Sequence, residues 1–198
     1  LNFLAHIYLS FDQLEVSLGN FIGDHIKGKD YKKYPTAIQH GVLLHRAIDQ
    51  FTDEHPIYRK SCKRIFKVQG HYSRVIIDVF YDYFLAANWA KYHKTELSIY
   101  ADQFYNVLES RLSSLPAKTQ HLAPYMIQQN WLLAYGSKQG IDRILKAMHR
   151  RTSYDSKMDQ ALLDLIAHEP SLQSDFDAFF PELIIFSRHK LNQLKTNI

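Results

Sequence analysis

The sequence predicts an all-α fold, a compact multi-helix bundle, on three observations. Apolar residues recur at i, i+3, i+4 and i+7 spacing through most of the chain, the stripe of an amphipathic helix. Alternation of apolar and polar residues never runs beyond a few positions, so a half-buried strand has no pattern to form on. Only 7 glycines and 6 prolines occur in 198 residues, too few for the tight turns of a sandwich and too few for a disordered or collagen-like chain. That length suits one core, so residues 1–198 are read as a single all-helical domain.

Each element has its own justification. Leu14, Leu18, Phe21 and Ile22 fall at i, i+4, i+7 and i+8, and Gly28 offers a stop. Pro35 suits the first turn of a second helix, whose Ile38, Val42 and Ile48 carry it to about Phe51. Thr52-Asp53-Glu54-His55-Pro56 reads as a turn, followed by a basic helix through Phe66 that breaks at Val68-Gln69-Gly70. A longer helix from Tyr72 to about Tyr92 is rich in aromatics: Phe80, Tyr81, Tyr83, Phe84 and Trp89. Further helices are expected near 95–114, 124–135, 138–149, 155–167 and 171–194, with Pro181 kinking or interrupting the last.

Composition excludes several classes. No run of eighteen apolar residues exists, so no membrane partner is expected, and the opening LNFLAHIYLSF lacks the basic lead-in of a secretory signal. A single cysteine, Cys62, rules out an internal disulfide and a cysteine-based zinc cluster; it reads as structural, in a protein of the cytoplasm. The formal charge of +4 is unevenly spread. Lys27, Lys29, Lys32 and Lys33 form one basic cluster, Arg59, Lys60, Lys63, Arg64 and Lys67 a second, and Arg143, Lys146, Arg150 and Arg151 a third. Such patches attract an anionic partner, yet they lack the glycine–aromatic signatures of common RNA-binding modules, so no nucleic-acid partner is expected. Phosphate-cradling and dinucleotide glycine motifs, HExxH and GxSxG are all missing.

Chemistry concentrates in the first half, where polar residues interrupt apolar stripes. His45 and Asp49 are four apart, which puts them on one helix face, about 40° apart around the axis. Asp78 and Asp82 repeat the spacing. His6 interrupts the apolar start, and Asp24 ends a run in which small Gly19 and Gly23 admit a close helix neighbour. Carboxylates on core-facing stripes require a cation, a hydrogen-bond donor or solvent. Gathered in one bundle core, His6, Asp24, His45, Asp49, Asp78 and Asp82 would form a histidine–carboxylate site that suits Mn²⁺, Mg²⁺ or Fe²⁺ better than structural zinc. Of eleven histidines, His6 and His45 are the ligand candidates, with His25 and His55 in reserve. Asp53 either caps the next helix or approaches the same site.

These motifs, in order, resemble the acyl-carrier-protein phosphodiesterases. The resemblance is carried by Asn2-Phe3-Leu4-Ala5-His6, Gly19-Asn20-Phe21-Ile22-Gly23-Asp24, Leu44-His45-Arg46-Ala47-Ile48-Asp49 with Thr52-Asp53, and Ile77-Asp78-Val79-Phe80-Tyr81-Asp82-Tyr83-Phe84-Leu85 with Trp89. Gln129-Asn130-Trp131-Leu132 and Phe179-Phe180-Pro181 extend it more loosely. It implies an HD-domain-like core and a hydrolase, usually Mn²⁺-dependent, that removes 4′-phosphopantetheine from holo-acyl carrier protein, an acidic protein that would dock on the basic clusters. HD-type sites carry an adjacent His-Asp pair; Asp24-His25 is in reversed order, and His45 with Asp49 takes that part. On this reading Asp24 or Asp82 serves as general base and Arg46 neutralises charge on the phosphoryl oxygens. The competing readings are a non-catalytic helical adaptor for an acidic partner and an HD-type nucleotide phosphohydrolase.

Overall fold

A computed structural model describes residues 1–152 and 156–196, and they contain helices and turns but no strand. The helices are α1 (Phe3–Tyr8), α2 (Leu14–Phe21), α3 (Thr36–Glu54), α4 (Pro56–Gln69) and α5 (Ser73–Ala87), then α6 (Leu97–Arg111), α7 (Ala117–Gln128), α8 (Trp131–Ala134), α9 (Lys138–Arg151) and α10 (Ala161–Thr196). None is long and apolar enough to cross a membrane.

The closest packing joins α2 to α3, and glycine permits it. A Cβ on Gly41 would lie 2.1 Å from the Val16 carbonyl oxygen, and one on Gly19 would lie 2.1 Å from that of Ile38. The two backbones therefore touch, as the small residues before Asp24 predict. Helix α5 runs through the core, with Ile76, Ile77, Val79, Phe80, Tyr81, Phe84 and Leu85 all buried. Across it α10 lays Phe176 and Phe179, whose rings meet Tyr81 and Phe84 at centroid distances of 5.4–5.8 Å, and Phe180, which stacks on Phe176. Between α3 and α4, Pro56 takes the first helical position and His55 Nδ1 accepts from Ile57 N–H.

Four boundaries differ from expectation. Helix α1 is too short to show a periodic stripe; a tertiary contact holds it, because the Asp82 carboxylate accepts from the N–H groups of Leu4 (2.7 Å) and Ala5 (3.2 Å). The helix expected over 124–135 is two helices. Asn130 breaks it with a left-handed φ of 44° and caps α8 by accepting from Leu133 N–H. Pro116 precedes α7, which begins at Ala117 and passes through Pro124. Finally, α10 is continuous through Pro170 and Pro181. Both prolines lie on its exposed face while Leu165, Leu172, Phe176, Phe179 and Leu183 stay buried in register. Their burial, about 1.5–3 kcal/mol per large side chain, offsets the roughly 3 kcal/mol that each interior proline costs. The expected start of a helix at 155 lies outside the described residues.

Candidate metal centre

Three segments bring four of the expected residues together: His6 from α1, Asp24 from the 3₁₀ turn Gly23–His25, and His45 and Asp49 from α3. The two imidazoles stack with centroids 4.1 Å apart. His45 Nε2 lies 3.1 Å from Asp24 Oδ1 and 3.1 Å from Asp49 Oδ2, and His6 Nε2 lies 3.3 Å from Asp49 Oδ1. Gly23 makes this possible, since a Cβ there would lie 2.3 Å from Cγ of His45. Behind the rings, His45 Nδ1–H donates to the Asn20 carbonyl oxygen and His6 Nδ1–H to Asn20 Oδ1, both at 2.8 Å. The histidines are buried, Asp49 is half-buried and Asp24 is exposed, so the cluster opens outward on its carboxylate side.

The electrostatics follow from this placement. Burial pushes the His6 pKa down, and the neighbouring His45 pushes the same way. Burial also disfavours the His45 cation, but hydrogen bonds to Asp24 and Asp49 overcome it and raise the pKa to about 9. The hydrogen bond to His45 holds the Asp24 carboxyl below its usual range. For Asp49 burial works upward, and the hydrogen bond to His45 prevails, holding it well below that range. His6 Nε2 is then a buried lone pair with no hydrogen-bond partner among the described residues, aimed at a carboxylate oxygen. Two acceptors face one another there, an arrangement that a cation between them relieves. Atoms of His6, His45 and Asp49 lie within 4.8 Å of one another, so this donor set fits a hard or borderline divalent ion.

The remaining expected residues go elsewhere. Asp78 lines a cavity onto which the cluster also opens, and it accepts from the Tyr58 hydroxyl at 2.8 Å. Asp82 is fully buried, its carboxylate spent on the start of α1 and its pKa pushed up by burial to about 7. It holds His6 in place from the helix below. Arg46 donates to the Ile26 carbonyl (3.1 Å) and stacks over Tyr31, bracing the segment after Asp24. His25 Nδ1 meets Thr119 Oγ1 at 2.7 Å; His55 caps α4 and approaches Glu182 at 3.3 Å. Asp53 pairs with Arg74 at 3.0 Å, and His55 takes the capping position considered for it.

Sequence reasoning missed Asn20 as a partner of both histidines, although a polar residue between Gly19 and Phe21 on a buried helix was a signal. It also missed the cavity. The cluster opens on a cavity of about 950 Å³ walled by Phe3, Phe21, Trp131, Ile144, Met148 and Met158. Arg143 and Arg151 also line it, the latter 5.6 Å from the Trp131 ring centre. Imidazoles and carboxylates converging at one end of a large, mainly apolar pocket define a helical protein with an enzyme-type site.

The comparisons narrow that class. A family model described as acyl carrier protein phosphodiesterase matches residues 1–183, and the chain belongs to that family. A relative from Photorhabdus laumondii named acyl carrier protein phosphodiesterase is 30% identical, covering 91% of this chain and 89% of its own length. Relatives of the same name from Enterobacter sp. strain 638 and Yersinia pestis are each 26% identical over 96% of this chain and 99% of theirs. No solved structure matches the chain.

Proposed function

We propose that the cluster holds a divalent cation, Mn²⁺ in the first instance, at Nε2 of His6 and His45 and at the Asp49 carboxylate, with Asp24 left uncoordinated beside it. The observation that carries this is the unpartnered Nε2 of His6, buried and facing Asp49. As a member of its family the chain is a phosphoric diester hydrolase. Its reaction is hydrolysis of the diester between a carrier-protein serine and 4′-phosphopantetheine. The oxygen of water bonds to phosphorus, the bond from phosphorus to the serine oxygen breaks, and that oxygen takes a proton.

A cation bound there supplies Lewis-acid stabilisation of the phosphoryl oxygens and makes water acidic enough to attack near neutral pH. The protein's own groups do the rest. Asp24, the exposed carboxylate, accepts the proton of the attacking water. Arg143 and Arg151, which line the cavity, offset charge on the phosphate, a part that Arg46 does not reach from its contacts with Ile26 and Tyr31. The apolar wall takes the pantetheine arm and excludes water from it.

An acidic carrier protein is steered by Lys27, Lys29 and Lys32, all exposed on the segment that follows Asp24. The basic face of α4 contributes less, because Lys60 and Arg64 are spent on the buried Asp175, at 2.8 and 3.0 Å. The proposal puts this reaction in the cytoplasm, the compartment that a chain with a single cysteine suits. Incubating the protein with holo-carrier protein and Mn²⁺ is expected to lower the carrier's mass by one phosphopantetheine arm; an unchanged mass beside an active control refutes the proposal.

Cation uptake has its own signature. His45 holds a proton up to about pH 9, and ligation requires that proton to leave Nε2. Between pH 7 and 8, Mn²⁺ binding is expected to release one proton, with apparent affinity rising about tenfold per pH unit and levelling above about pH 9. Calorimetry in buffers of different ionisation enthalpy reads that proton directly, and binding without release removes His45 from the ligand set.

A further inference from the structure

We infer that Asn20 is the positioning residue of the centre, holding a proton on Nδ1 of both imidazoles so that Nε2 is the atom each ring presents to a cation. This rests on the cation reading above and asks what prepares the ligands for it.

The argument is a count of donors. Ser10 Oγ–H donates to the His6 carbonyl oxygen at 3.0 Å, so the Ser10 oxygen has only lone pairs left to offer Asn20. The Asn20 amide end that faces it lies 2.7 Å from the His6 carbonyl and 3.1 Å from Ser10 Oγ, two acceptors, and must be the NH₂. Its other end is therefore Oδ1, which can only accept, and it lies 2.8 Å from His6 Nδ1. The His6 ring proton is thus placed on Nδ1. For His45 the same residue uses its backbone: its carbonyl oxygen, 2.8 Å from Nδ1, also only accepts. One residue, fully buried, presents two acceptors to two rings that stack 4.1 Å apart, and both Nε2 atoms point at Asp49. Oxygen partners of this kind behind a ligating histidine fix its orientation, and losing one costs about 10–100-fold in metal affinity.

The test is Asn20→Ala, read in two ways. Long-range ¹H–¹⁵N spectra of the metal-free protein are expected to show His6 with its proton on Nδ1 in the wild type and a population with the proton on Nε2 in the variant. Mn²⁺ affinity, followed by the spin-resonance signal of the free ion, is expected to fall about 10–100-fold. Ser10→Ala removes a hydrogen bond from the same buried network without touching the Nδ1 acceptor, and is expected to keep the wild-type tautomer. A loss of affinity in Ser10→Ala equal to that in Asn20→Ala overturns the inference, as does an unchanged tautomer in Asn20→Ala. Should Asn20→Ala not fold, the wild-type spectrum still decides, since a proton on His6 Nε2 contradicts the donor count. The two readings fail separately. A wild-type chain that takes up no Mn²⁺ while Asn20→Ala shifts the tautomer refutes the cation and keeps the asparagine's hold on the rings. Wild-type Mn²⁺ affinity in Asn20→Ala refutes the asparagine's role and keeps the cation.

Discussion

His45→Ala is expected to lower release of the phosphopantetheine arm at least about 10³-fold, equivalent to about 4 kcal/mol of transition-state stabilisation. The substitution removes the imidazole that contacts both Asp24 and Asp49 and leaves His6 Nε2 facing a carboxylate with less to hold a cation between them. Asp49→Ala is expected to match it, since Asp49 is the one carboxylate among the described residues that touches both rings. Asp24→Ala should separate from these two. On its proposed role as the exposed proton acceptor, losing Asp24 lowers turnover more than it lowers Mn²⁺ affinity. Far-ultraviolet dichroism should be unchanged in all three, because Asp24 and Asp49 sit at the opening of the cluster and His45, though buried, is no part of the apolar core. Near wild-type turnover by the His45 or Asp49 variant would remove that residue from the site.

Gly41→Ala is expected to cost at least about 3 kcal/mol of stability, the upper range for overpacking, because the added methyl meets backbone that no rotamer change can move. Its Cβ would sit 2.1 Å from the Val16 carbonyl oxygen and 2.6 Å from the Asn20 nitrogen. At ~2–4 °C per kcal/mol for a chain of this size, thermal unfolding should move down by ~6–12 °C. Function should fall with it: Gly41 lies one helical turn before His45, and forcing α3 off α2 parts His45 Nδ1 from the Asn20 carbonyl. Gly19→Ala acts on the same contact through the Ile38 carbonyl, so the two losses should not add. A melting temperature within ~1 °C of wild type would show that the helices have slack there.

Much of this arrangement was legible in the residues. The stripes that mark α2, α3 and α5 are local periodicities, and the pairing of His45 with Asp49 follows from helix pitch alone. The convergence of His6, Asp24, His45 and Asp49 was expected from polar residues interrupting apolar patterns, and the chain brings each within 3.3 Å of another of the four. The same reasoning treated Asp78 and Asp82 alike, and there it stopped. Four residues apart on one helix, they face different needs: Asp78 lines the cavity, whereas Asp82 is buried beneath α1 and satisfies its N–H groups. Spacing reports a shared face and says nothing of what lies opposite.

Arg46 makes the same point, since proximity in sequence to His45 does not bring its guanidinium to the site; it reaches Ile26 and Tyr31 instead. Sequence by itself determined the helical class, the family and the residue types that meet in the cluster, because these rest on local periodicity and on ordered motifs. Tertiary structure decided that Asn20 backs both imidazoles, that Asp82 serves the fold, and that α10 passes through two prolines. Each of these depends on a partner far along the chain, and a buried hydrogen bond or an apolar contact takes its energy from where that partner lies in space.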